Sequence, residues 1–137
     1  MPEFLLDPRL AADTTAVAEL ELCTLRLSKD ARFPWLILVP KRAGMAEIID
    51  LDAMDRAILL DEIVLVSEAL RAATRCHKLN VAALGNQVRQ LHIHVIARFE
   101  GDAAWPRPVW GAGEPVAYEA AARDRLVAAL RETLPST

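Results

Sequence analysis

The stretch Gln90-Leu91-His92-Ile93-His94-Val95-Ile96 constrains this fold more than any other part of the chain. Polar and apolar side chains alternate in it at a strict period of two, the pattern of a strand with one buried face. Leu91, Ile93 and Val95 make the face that buries. Gln90, His92 and His94 share the other, with successive same-face residues ~6.5–7 Å apart. Two of the chain's three histidines are thereby set side by side. Near neutral pH, imidazole serves as nucleophile, general base, general acid or metal ligand. Spacing alone leaves three readings open. The pair can be polar residues on a solvated sheet face. It can supply two ligands of a metal site, although no third ligand lies nearby in sequence and there is no HExxH or cysteine cluster. It can also carry covalent catalysis on phosphorus, one imidazole attacking while its neighbour handles the leaving group.

The rest of the pattern surrounds this strand with others. Residues 2–16, with Asp7-Pro8-Arg9-Leu10 and Asp13-Thr14-Thr15, read as a helical turn and a polar connection. Alternation from Ala18 to Leu27 predicts a strand, and Ser28-Lys29-Asp30 a turn. The apolar run Phe33 to Val39, closed by Pro40, completes a hairpin. Asp50 or Asp52 caps a long helix ending near Arg75, with an apolar stripe of Met54, Ile58, Leu59, Ile63, Val66 and Leu70. Leu79 to Leu84 is a short strand, Gly85-Asn86-Gln87 a bend, and Arg89 to Arg98 the histidine strand. A Trp- and Pro-rich irregular stretch follows. Pro115 opens a last helix that ends near Leu134. The order ββαββ with flanking helices predicts an α+β domain built on an antiparallel sheet, occupying residues 1–137 as a single unit.

Composition narrows the function. With 53% hydrophobic and 26% charged residues the chain reads as globular rather than disordered. A net charge of -3 offers no general field for DNA or RNA, so any anion site must be local. Cys23 and Cys76 form no CxxC pair, which argues against a zinc or disulfide framework. No membrane span or leader pattern is legible, and the expected location is cytoplasmic.

The segment from Gly85 to Arg98 resembles the signature of the histidine triad (HIT) superfamily, His-φ-His-φ-His-φ-φ preceded by a glycine and two small polar or amide residues. Trp105-Pro106 resembles the tryptophan-proline of the family's C-terminal loop. Leu36-Ile37-Leu38-Val39-Pro40-Lys41 resembles its strand ending in Pro-Lys. The resemblance runs from about Leu20 to Trp110. It implies a sheet of about five strands with a long helix and a C-terminal helix. It also implies a nucleotide hydrolase or transferase that cleaves a phosphoanhydride or phosphoramidate at the α-phosphate of a purine nucleotide, through a nucleotidyl-histidine intermediate. In that scheme His92 is the nucleophile, and His94 contacts phosphate oxygens and the leaving group. Gln90 stands at the first triad position. Asn86, Gln87, Arg98 and Trp105 are the implied substrate contacts. No metal ligand or cofactor is required, although Mg2+ can accompany a polyphosphate substrate. The usual assembly is a homodimer.

Three departures mark this chain: Ala43 and Gly44 occupy the stretch after Pro40-Lys41 where some branches of the family carry another histidine, and the other two concern the triad and the ribose. Gln90 replaces a histidine, and an amide hydrogen-bonds in both directions but does not titrate near pH 7. The acid or amide that often holds the ribose is also missing: Leu27 and Ser28 stand there, with Asp30 slightly beyond. The departures at the triad and the ribose favour the alternative of a nucleotide-binding or sensing module with little turnover, and retention of His92 opposes it. Phe33, Trp35, Leu36 and Leu38 are candidates for a purine pocket or for core. Trp105 and Trp110 are candidates for a substrate mouth or a subunit contact.

Overall fold

Five strands form one antiparallel sheet in the order β1-β2-β3-β5-β4. The strands are β1 (Thr14–Glu19), β2 (Cys23–Ser28), β3 (Trp35–Pro40), β4 (Lys78–Ala82) and β5 (Ile93–Arg98). Three helices accompany them: α1 (Pro8–Asp13), α2 (Ala53–Thr74) and α3 (Ala120–Thr133). The computed structural model describes residues 3–135; the ends of the expected 1–137 unit, residues 1–2 and 136–137, lie outside the described residues.

The two faces of the sheet have different coverings. Leu25, Leu27, Leu36, Leu38, Ile93, Val95 and Ala97 point to one face, where Leu59, Val66 and Leu70 of α2 and Val127 and Leu130 of α3 close the main core. The other face carries Ile37, Val39, His94, Ile96 and Arg98. Part of it lies under α1 and the segment before it, through Leu10, Phe4 and Leu6. The rest lies under the loop after β5, through Ala104 and Val109.

Of the two expected caps, Asp52 starts the long helix, its side chain accepting from the Asp55 amide at 2.8 Å. Its buried stripe differs from the expected one. Met54 is 74% exposed, while Asp55 and Glu62 are buried beside Leu59, Val66, Ala69 and Leu70. Each buried carboxylate has a partner. Arg42 Nε donates to Asp55 at 2.7 Å, and Glu62 accepts the Leu22 and Cys23 amides at 2.8 and 2.9 Å.

Three boundaries are corrected. The expected strand from Ala18 to Leu27 falls on two strands, β1 and β2, joined by a tight turn at Leu20–Leu22, which brings the number of strands to five. The histidine strand begins at Ile93 rather than Arg89, so Gln90 and His92 precede the ladder. The last helix begins at Ala120, not Pro115; Ala117 instead bridges to Asp30.

Candidate active site

β5 runs between β3 and β4. His94 is paired on both sides, with Ile37 of β3 and Ala82 of β4. His92 stands one residue outside the ladder, where the neighbouring Leu91 amide donates to the Met45 carbonyl at 2.9 Å. Strand parity brings the two rings to one face, with centroids 4.9 Å apart and planes at 71°. Both residues are buried, His92 at 7% exposure and His94 at 6%.

Each ring has one fixed nitrogen. His92 Nδ1 lies 2.7 Å from the Gln90 carbonyl oxygen. A carbonyl only accepts, so Nδ1 carries a proton, and in the neutral ring the lone pair is on Nε2. His94 Nδ1 lies 2.9 Å from Trp35 Nε1. An indole N–H only donates, so here Nδ1 carries the lone pair and Nε2 the proton. Neither Nε2 has a partner among the described residues, and no buried polar side-chain atom among them lacks one. Both Nε2 atoms therefore reach the accessible surface. Burial, joined by the neighbouring His92, pulls the pKa of His94 down to about 4.

Aromatic rings complete the surroundings of His94. Trp35 lies 5.6 Å from it and Trp110 5.0 Å, the latter edge-on, and the two indoles meet at 5.7 Å. Trp110 remains 37% exposed. Of the two tryptophans in the irregular loop, Trp110 is therefore the one that touches a histidine. Trp105 packs instead beside Arg98, whose guanidinium carbon lies 5.7 Å from its ring.

Arg98, expected as a substrate contact, shares the strand face of His94 and has its guanidinium committed within the protein, where it anchors the following loop. Its side chain is 2% exposed. Nε and Nη2 donate to Asp102 at 2.8 and 3.0 Å, and Nη1 donates to Asn80 at 2.8 Å. The Asp102 carboxylate also accepts the amides of Phe99, Ala104 and Trp105. Arg98 and these amides hold its carboxyl well below the usual carboxylate range. The loop bearing Trp110 is thereby tied to the last residue of β5.

Gln90 is also directed elsewhere than its alternation implies. Its side chain accepts the Asp7 amide at 2.8 Å and donates to the Leu5 carbonyl at 2.8 Å, a strand-like pairing with the N-terminal segment. Only its backbone carbonyl meets His92. Asn86 and Gln87 are exposed on the bend after β4, and their side chains make no hydrogen bond among the described residues. Asp30 is occupied by Arg32 and the Val116 amide. No cluster of three or more His, Cys, Asp or Glu side chains suited to a metal ion occurs among the described residues.

The residue that the alternation argument undervalued is Trp35. Its signal lay in parity: Trp35 and Ile37 share a face of β3, and Ile37 pairs with His94.

The site is a histidine pair at the start of an inner strand of the sheet, and the family model for the HIT domain, the histidine triad class, matches residues 9–101. The chain belongs to that family. Solved structures similar to it include histidine triad protein blr8122 from Bradyrhizobium japonicum, with 51% identity and a TM-score of 0.95 over 96% of this chain and 98% of that one. The histidine triad protein SMc02904 from Sinorhizobium meliloti 1021 has 47% identity and a TM-score of 0.93, covering 96% and 97%. A histidine triad protein from Marinobacter aquaeolei VT8 has 44% identity and a TM-score of 0.94, covering 97% of each chain. Comparison with curated protein sequences gives no match.

Proposed function

We propose that this protein is a nucleotide hydrolase or nucleotidyltransferase acting at the α-phosphate of a purine nucleotide. The observation that carries the reading is the 2.7 Å contact between His92 Nδ1 and the Gln90 carbonyl. It leaves Nε2 of His92 as a lone pair at the accessible surface, the state an imidazole nucleophile requires. In the first step Nε2 bonds to the α-phosphorus, and the bond from phosphorus to the leaving group breaks with its electron pair; an oxygen departs as the oxyanion, and a nitrogen takes up a proton from solvent and departs as the neutral amine. Nε2–H of His94 hydrogen-bonds to that departing atom. In the second step a water or acceptor oxygen bonds to phosphorus. The P–Nε2 electron pair returns to His92, and a proton of the incoming group passes to solvent. Mg2+ enters only as part of a polyphosphate substrate. Asn86 and Gln87, with their free side chains, supply polar contacts to the phosphate.

We also propose a homodimer. Leu60 and Val64 of α2 are exposed, as is Val81 of the edge strand β4 on the face that α2 covers. Light scattering at micromolar concentration is expected to give twice the monomer mass.

Intact-mass measurement after acid quenching tests the chemistry. A panel of adenine and guanine nucleotides with phosphoanhydride and phosphoramidate leaving groups is expected to yield a nucleoside monophosphate adduct. His92→Ala is expected to lose the adduct and to lower kcat by about 10^3-fold or more, with nucleotide binding retained. Wild-type turnover in that variant, or binding with no product from any substrate, overturns the reading.

A further inference from the structure

The two histidines of the site have identical chemistry in isolation. A neutral imidazole can place its proton on either nitrogen, so the unconstrained pair has no assigned nucleophile and no assigned donor. Their partners break this symmetry in opposite senses. One partner is a carbonyl, the Gln90 oxygen, and the other is an N–H, the Trp35 indole.

We propose that Trp35 is a positioning residue for the reaction described above: by donating its indole N–H to His94 Nδ1, it holds His94 as the Nε2–H tautomer, so that this ring donates a hydrogen bond to the leaving group and cannot act as a second nucleophile. The inference rests on the proposed reaction for its meaning, but the tautomer itself is a property of the free protein.

The geometry around Trp35 supports a fixed donor. Trp35 opens β3 and pairs with Ile96. Its side chain packs against both small apolar clusters of the site face, with Phe33, Ile96, Ala104 and Val109 on one side and Leu10, Ile37 and Val39 on the other. Trp110 meets the Trp35 ring edge-on at 88°. Held from several sides, the indole cannot readily turn its N–H away. A protonated His94 would set a second N–H against it at 2.9 Å, so the same contact also opposes the imidazolium. Around His94, β3 presents Trp35 and Ile37, β4 presents Ala82 and the loop presents Trp110. None of these is charged, and His92 is the titratable group that acts on the ring.

Long-range 1H–15N correlation of the histidine rings tests this in the unliganded protein. In wild type, His94 Nδ1 is expected at the shift of an unprotonated nitrogen and Nε2 at that of a protonated one, unchanged from pH 8 to pH 5. Trp35→Phe keeps an aromatic ring and removes the N–H. It is expected to admit the second tautomer and to raise the titration midpoint of His94 by about one pH unit or more. Trp110→Phe removes no hydrogen bond to His94 and is the control, with a smaller change. On a substrate identified by the adduct assay, Trp35→Phe is expected to lower kcat about tenfold with little change in KM. A protonated Nδ1 in wild type, or a Trp35→Phe response no larger than that of Trp110→Phe, overturns the proposal.

Should Trp35→Phe fail to fold, replacing all three tryptophans with benzothienylalanine keeps the ring shape and removes every indole N–H. Trp105 and Trp110 make no indole hydrogen bond among the described residues, so this deletes one bond only, and the same spectral changes are required. Failure of every nucleotide to form an adduct would instead defeat the reaction scheme while leaving the ring spectra unaltered.

Discussion

Acid should loosen this protein through His94 before it does so through Asp30, Asp50 or Asp102. His94 has a folded pKa near 4, against an ordinary value of 6.5, because it is buried and lies beside His92. Between those two values the unfolded chain binds a proton that the folded chain does not. Stability therefore falls as pH falls from 6.5 towards 4, and this loss is absent above 6.5. At about 1.4 kcal/mol per pH unit the gap amounts to about 3 kcal/mol, a large fraction of the total for a domain of this size. The carboxylates of Asp30, Asp50 and Asp102 are shifted downward from 3.8, so their contributions are lost only below this window. The assay is urea unfolding at several values between pH 7 and pH 4, at one protein concentration, for wild type and His94→Gln. The variant's intrinsic destabilisation cancels, because only the pH dependence is compared. The wild-type stability is expected to fall by about 3 kcal/mol relative to the variant across the window. Parallel pH dependences would refute the assignment of a buried, neutral His94.

Three further outcomes follow from individual contacts. Asp102→Ala leaves the 2%-exposed Arg98 unpaired and should cost about 3–5 kcal/mol in chemical denaturation; a loss below about 1 kcal/mol would show that the pair does not anchor the loop. Gln90→Ala removes the acceptor of the Asp7 amide and the donor to Leu5, so hydrogen exchange at Asp7 should speed up while α2 amides keep their protection; an unchanged Asp7 rate would deny the strap. Glu62→Ala strips the acceptor from the buried Leu22 and Cys23 amides and should cost about 1–3 kcal/mol for each donor; equal stability of variant and wild type would contradict this.

The legible parts of the sequence were those with local causes. The cap at Asp50 or Asp52, the apolar run ending at Pro40 and the alternation toward Arg98 each act over a few residues, and the structure has α2, β3 and β5 there, with β5 starting later than the alternation does. The turn between β1 and β2 was not legible because it contains no glycine, proline, asparagine or aspartate. Leu20, Glu21 and Leu22 make the turn, and the carboxylate that satisfies its amides comes from Glu62, 40 residues away in α2. The same remote pairing hid Glu62 and Asp55 in the buried stripe of α2, where a hydrophobic count chose Met54. At the site, parity placed His92 and His94 together. It could not show that Gln90 leaves the strand before the ladder begins, because an alternating pattern does not reveal where hydrogen bonding stops. Arg98 had the right parity for a substrate contact, yet Asp102 and Asn80 claim it, and neither partner is apparent from spacing.

The end of the β5 ladder falls between the two histidines, and this gives them unequal mechanical footing. His94 is gripped by strands on both sides, so moving its backbone would break ladder bonds to β3 or β4. His92 sits on the connecting backbone just before Ile93, where a small rotation disturbs no ladder bond. In a displacement at phosphorus the reacting atoms start about 3–3.5 Å apart and must close to bonding distance. The position outside the ladder is the one that carries the attacking nitrogen of the proposed reaction, and the position inside it carries the donor. In the proposed reaction the donor ring is thus held in register by two neighbouring strands, whereas the attacking ring is held by the Leu91–Met45 and His92–Gln90 contacts just outside the ladder.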